Sequence, residues 1–232
     1  MILAQFVIVL VFISAAFGFP TQFTKRAANN VRNDARNAAG TCKDVMVICA
    51  RGTTEAANMG SLACLPFTSA LEASAATAGI TVGVQGVNNY AASIQEYLTG
   101  GSKTGAAFMA QTAAMVMSNC PNTSTWISGY SQGGQVLHLA LDMMTSAERS
   151  NIAGVVVFGD GTGKDGIATW PPEIDTANVL SKCTPGDKIC EVPKSGQVTQ
   201  FHLQYPKDAP EAAAFVMNGV QAKAQPVAPA KI

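Results

Sequence analysis

The chain has 232 residues, 48% hydrophobic and 13% charged, with 15 basic and 15 acidic side chains and a formal net charge of zero. That balance offers no electrostatic footprint for a nucleic acid, and the length fits one domain with room for a large core. Two histidines without metal-ligand spacing argue against a zinc site, and no cofactor is expected.

Residues 2–17 form an almost unbroken apolar run with small residues (Ser14, Ala15, Ala16, Gly18) at its end. This reads as a signal peptide over 1–18, with Lys25-Arg26 marking a short propeptide and the mature chain starting near Ala27. A membrane anchor would call for about 20 apolar residues and charged flanks, so no stable membrane insertion is expected. The basic residues Lys25, Arg26, Arg32 and Arg36 lie in an Asn/Ala-rich segment and read as a solvated N-terminus. Six cysteines behind a leader read as a disulfide framework in an oxidising compartment, so the protein is expected to be secreted and extracellular. Asn122-Thr123-Ser124 is a glycosylation sequon in a turn.

Residues 45–50 read as a buried strand, 62–78 as a helix and 81–87 as a strand. A helix follows over 103–119, a strand over 125–129 and a helix over 132–144. The most continuous strand is 152–159, with another over 178–181, a last helix over 209–224 and a loose tail over 225–232. Strands alternating with helices imply crossover connections and a parallel sheet covered on both faces. The expected architecture is α/β, a three-layer sandwich around a mainly parallel sheet of about five strands. One domain over 27–224 is expected, with no large lid.

The most informative stretch is Gly129-Tyr130-Ser131-Gln132-Gly133, between a β-branched strand and a helix. A G-x-S-x-G serine in that setting sits on a strained turn with its hydroxyl exposed. Glycines two residues before and after it remove Cβ atoms where strand and helix crowd together. The same turn puts the N–H of Gln132 at a helix N-terminus, where it can receive a developing oxyanion.

A serine hydroxyl near neutral pH needs an adjacent base. His138 lies seven residues along the helix that starts at the serine, roughly 10 Å up its axis, and cannot reach back. It reads as a packed or surface helix residue. His202, before Pro206 and the last helix, matches the order Ser…Asp…His and is the candidate base. The acid must lie between them. Asp187, in Cys183-Thr184-Pro185-Gly186-Asp187-Lys188-Ile189-Cys190, is the preferred candidate, since a stapled loop would mount it rigidly. Asp160 and Asp175 are rivals, and the plain alternative for Asp187 is a turn aspartate. A second oxyanion donor is expected from the loop after the first strand, where Thr53 would give its N–H. Arg51 would tie that loop to the core through Glu55 or backbone carbonyls. Gly161-Thr162-Gly163-Lys164-Asp165-Gly166 matches a dinucleotide fingerprint, but Trp170-Pro171-Pro172 follows where a helix should open, so it reads as a loop.

Together these residues resemble the cutinase family of serine esterases, which includes acetylxylan esterases. The resemblance spans roughly 41–218 and rests on Cys42, Ala50-Arg51-Gly52-Thr53-Thr54-Glu55, Asn119-Cys120-Pro121, the serine motif, the 183–190 loop and His202. It implies an α/β-hydrolase with Ser131, Asp187 and His202 as a triad and an oxyanion hole from Thr53 and Gln132. It also implies disulfides Cys42–Cys120 and Cys183–Cys190. Cys49 and Cys64 fall outside that pattern: they could pair, or Cys49 could be a buried thiol on its strand. The implied activity is hydrolysis of carboxylic esters, cutin-type polyester or short- to medium-chain acyl esters, by a monomer acting on an ester substrate. The alternatives are an acetylxylan or other short-acyl esterase and, from another class, a secreted binding protein on the same scaffold.

Overall fold

The computed structural model describes residues 30–37, 41–56, 58–162, 169–192 and 194–224. The expected signal peptide, the Lys25-Arg26 site, the tail over 225–232 and most of the dinucleotide-like stretch lie outside the described residues. In chain order the elements are α1 (Asp34–Asn37), β1 (Val45–Ala50), α2 (Cys64–Thr77), β2 (Val82–Gly86), α3 (Ile94–Leu98) and α4 (Lys103–Asn119). Then come β3 (Ser124–Tyr130), α5 (Gln132–Met143), α6 (Ser146–Ser150), β4 (Ile152–Phe158), β5 (Val179–Lys182) and α7 (Ala209–Ala224). The strands form one sheet in the order β2-β1-β3-β4-β5, every pair parallel. The α/β expectation holds, with five strands.

Both faces of the sheet are covered, which is why β1 and β4 are apolar throughout. Alternation along β1 sends Met46, Ile48 and Ala50 to one layer with Met109, Val136, Leu137 and Leu141 of α4 and α5. Val45 and Val47 go to the other, with Phe67 and Leu71 of α2 and Val216 of α7. Between β3 and β4 the register shifts from Thr125↔Ile152 to Trp126↔Gly154, so β4 carries one extra residue. That bulge changes the facing of β4, and Gly154 leaves room for the Trp126 ring.

The N-terminal segment departs from expectation. Arg32 is not solvated: its guanidinium bonds both Glu72 oxygens (3.0 and 2.7 Å) and Asp34 (2.6 Å). Asn33 bridges Gln85 antiparallel, and Asp34 accepts the N–H of Val84 at 2.9 Å. The segment therefore satisfies backbone groups along the edge strand β2, which would otherwise be open to pairing with another chain.

Three disulfides are formed. Cys42–Cys120 ties the approach to β1 to the end of α4, and Cys183–Cys190 closes the loop after β5. Cys49 and Cys64 also pair. Cys49 shares the parity of Val45 and Val47, so it faces the α2 layer, where Cys64 opens that helix with a Cα–Cα separation of 5.9 Å. No helix among the described residues is long and apolar enough to cross a membrane.

Candidate active site

The site lies at the carboxyl ends of the strands, where parallel sheets place their ligand crevices. Ser131 is the hinge residue between β3 and α5, at φ 54° and ψ −118°, a left-handed conformation that a side chain rarely adopts. Its own backbone holds it there: Ser131 N–H donates to Phe158 O (2.9 Å) and its carbonyl accepts from Gly134 N–H (2.8 Å). A Cβ on Gly129 would collide with the backbone of Gly133, and one on Gly133 with the carbonyl of Ala50. Two glycines thus let β1, β3 and α5 meet at this one point.

His202 lies in a short 3-10 turn over Gln200–Leu203 and is 3% exposed. Its Nδ1 is 2.8 Å from Asp187 Oδ2, and its Nε2 is buried with no hydrogen-bond partner among the described residues. With the carboxylate on Nδ1, the proton sits there and Nε2 is an acceptor. Ser131 and His202 line the same depression, but no hydrogen bond joins them in this structure. Catalytic hydrogen bonds are commonly long until a substrate seats.

Asp187 is fully buried. Oδ1 accepts Ile189 N–H at 3.0 Å, and Oδ2 accepts both His202 and the Tyr205 hydroxyl, the latter at 2.5 Å. Burial pushes its carboxyl up, but the bonds from His202, Tyr205 and Ile189 outweigh that and hold it below the ordinary aspartate value. Burial moves the Tyr205 and Tyr130 phenols up, so both stay protonated donors. Gly159, at the end of β4, has φ +55°; a Cβ there would lie 2.8 Å from the His202 ring and 3.0 Å from Asp187 Oδ2.

The rival acids are engaged elsewhere. Asp160 Oδ2 bonds His138 Nε2 at 2.8 Å, and Oδ1 accepts Thr162 N–H. His138 stacks on Trp170 with ring centroids 4.5 Å apart, a packed helix residue. Asp175 caps the turn over Thr176–Asn178 through Ala177 N–H.

On the facing side, the loop after β1 is built around Glu55, whose carboxylate accepts the N–H groups of Gly52, Ser61 and Leu62. Arg51 reaches the carbonyls of Glu55 (2.7 Å), Tyr90 (2.9 Å) and Ala91 (3.3 Å), so it ties the loop through backbone oxygens. Thr53 lies within this brace and lines the depression. Gln132 opens α5, so its N–H has no acceptor within the helix, and its side-chain Nε2 donates to Ser93 O at 3.0 Å. The depression measures about 490 Å³, and its rim carries exposed Ile94, Leu98, Val198 and Leu203.

The sequence profile described as cutinase matches residues 41–220. The chain belongs to the cutinase family. As a cutinase it is a carboxylic ester hydrolase. It is 37% identical over 195 residues to the cutinase pbc1 of Pyrenopeziza brassicae, spanning 84% of this chain and 92% of that one. The solved cutinase of Trichoderma reesei, in complex with a C11Y4 phosphonate inhibitor, matches with a TM-score of 0.70 and 38% identity over 83% of this chain and 81% of that one. A solved acetyl xylan esterase, 22% identical with a TM-score of 0.59 over 78% of this chain and 100% of its own, shares the fold.

Sequence reasoning missed several residues of this cutinase's candidate site. Ile94, Tyr97 and Leu98 form a wall on α3, a helix of five residues, too short to show apolar periodicity. Tyr130 sits inside the serine motif, yet its hydroxyl donates to His202 O at 2.7 Å and its ring stacks on the imidazole. Tyr205, three residues after His202, gave no signal beyond being aromatic.

Proposed function

We propose that this protein is a secreted serine esterase that cleaves carboxylic esters by two-step acyl transfer. Ser131 Oγ attacks the ester carbonyl as His202 Nε2 takes its proton, and Asp187 orients the imidazole and stabilises it once charged. The N–H groups of Gln132 and Thr53 receive the oxyanion, the alcohol leaves with the proton from His202, and water then hydrolyses the acyl-enzyme. The observation that carries this reading is the buried His202–Asp187 pair, with Nε2 unpartnered, in the wall of the same depression as Ser131.

The lining supports one substrate class. Ile94, Leu98, Val198 and Leu203 put apolar surface on both sides of the cleft, suited to an acyl chain rather than to an acetate on a sugar polymer. Medium-chain acyl esters and cutin-type polyesters are therefore preferred over acetylated xylan. The leader over 1–18 would direct the chain out of the cell, and residues 27–224 would form its single catalytic domain.

Ser131→Ala is expected to cut hydrolysis of p-nitrophenyl butyrate by roughly five to six orders of magnitude while the protein stays folded by circular dichroism. Wild-type turnover in that variant would refute the assignment. Under the same assay, rates on butyryl esters should exceed those on acetyl esters; preferential acetate release from xylan would favour the short-acyl alternative.

A further inference from the structure

We propose that Tyr205 is a positioning residue of this site: its hydroxyl binds the oxygen of Asp187 that holds His202 and so sets how strongly the imidazole holds a proton. The proposal rests on the reading of Ser131, His202 and Asp187 given above.

Tyr205 is fully buried and begins the 3-10 turn Tyr205–Asp208, three residues beyond His202. Its hydroxyl lies 2.5 Å from Asp187 Oδ2, the oxygen that His202 Nδ1 meets at 2.8 Å. The phenol oxygen also receives the N–H of Thr184 at 3.3 Å, which occupies a lone pair and leaves the phenol proton for the carboxylate. Its ring stands edge-on to His202, Tyr130 and Phe158, with centroids 6.1, 5.6 and 5.9 Å away. Cys190 Sγ, which carries no proton in its disulfide, lies 3.6 Å from the hydroxyl. A thioether-like sulfur at that distance is a much weaker acceptor than the carboxylate at 2.5 Å, so the phenol proton goes to Asp187.

A core tyrosine that merely fills space is the competing explanation. Orientation of Asp187 is already supplied by Ile189 N–H and by the Cys183–Cys190 loop. What Tyr205 adds is a second donor on the oxygen shared with the imidazole. Two donors on one carboxylate oxygen divide its charge, so each bond is weaker than it would be alone. Without the phenol, Asp187 would bind the imidazolium more strongly and His202 would gain its proton at higher pH.

Other ionisable groups around the imidazole are few and would not change. Tyr130 covers its face, and Glu55 lies across the depression. Lys188 pairs with Glu191 on the acid's loop, Lys182 with Glu211 and more distantly Asp208 beyond β5, and His138 with Asp160 beyond β4.

The test is Tyr205→Phe, which keeps the ring and removes one hydroxyl. We expect the acid limb of the kcat/KM profile on p-nitrophenyl butyrate to move up by roughly half a unit to one unit. KM should change less than twofold, and the low-field Nδ1 proton of His202 should move further downfield by NMR. Adding Tyr205→Phe to Asp187→Asn should move the limb no further. If the phenylalanine variant fails to fold, 3-fluorotyrosine placed at position 205, a stronger donor of the same shape, should move the limb down instead. An unmoved limb, with Ser131→Ala inactive, overturns the role of Tyr205 alone. Full activity in Ser131→Ala overturns the site reading and this proposal with it.

Discussion

Two imidazole–carboxylate pairs, each at 2.8 Å, occupy this end of the molecule, and distance alone does not tell them apart. His138 commits Nε2 to Asp160 and its ring face to Trp170, so it has no unpartnered ring nitrogen aimed at the serine's depression. His202 commits Nδ1 to Asp187 and keeps Nε2 unpartnered. Only the second arrangement can accept a proton from a serine. Asp187→Asn is accordingly expected to lower kcat about 10⁴-fold, because an amide would stabilise the wrong tautomer. Asp160→Asn should leave kcat within about twofold and lower stability by roughly 1–2 kcal/mol, since it weakens one charge-assisted bond. Steady-state kinetics and urea unfolding on the two variants would separate these outcomes.

At the level of elements, each part of the site is mounted by a different device. The turn of the proposed nucleophile relies on glycine, the loop proposed for the oxyanion on the three N–H groups gathered by Glu55, and the proposed acid on a disulfide loop. The α3 wall is tethered from below by Gln132 Nε2 on Ser93 O and Gln135 Nε2 on Tyr97 O. Cys183–Cys190 spans only seven positions, so its loop-closure contribution to stability is small, about 2 kcal/mol. Its larger effect should be on geometry. Replacing both cysteines with serine is expected to lower kcat tenfold or more, through a looser Asp187, while a cooperative melting transition survives. Unchanged kcat in that variant would mean that Ile189 N–H and Tyr205 suffice to hold the acid.

Across the whole molecule, the proposed site and the long disulfide lie at opposite ends of the sheet. The loop after β1, Ser131 after β3, Gly159 after β4 and the acid's loop after β5 all lie at the carboxyl edge. Cys42–Cys120 lies at the amino edge, where Thr123 also bonds Lys43 O and Ser124 N–H bonds Asp44 O. With a sequence separation of 78, this bridge constrains the unfolded chain strongly, by roughly 4 kcal/mol in the loop-entropy picture. Its double serine variant should lose stability of that order in chemical denaturation yet retain wild-type kcat at 25 °C. A large drop in kcat without loss of stability would show that the two ends are coupled.

Local pattern carried much of this protein. The strand and helix flanking Ser131, the apolar runs of β1 and β4 and the span of α4 were readable because burial on both faces, or on one helical stripe, writes a period into the chain. The order of serine, aspartate and histidine narrowed the candidates, and the stapled loop and the family resemblance favoured Asp187, but Asp160 and Asp175 stayed as rivals because order says nothing about distance. Burial and hydrogen bonding separate them: Asp160 is spent on His138, Asp175 on a turn, and Asp187 on His202. The Cys49–Cys64 pair was one of two open alternatives, and the α3 wall and the second donor on Asp187 were silent, all for the same reason. Each is a meeting of residues that are neighbours only after the chain has packed, and such meetings leave no periodicity behind.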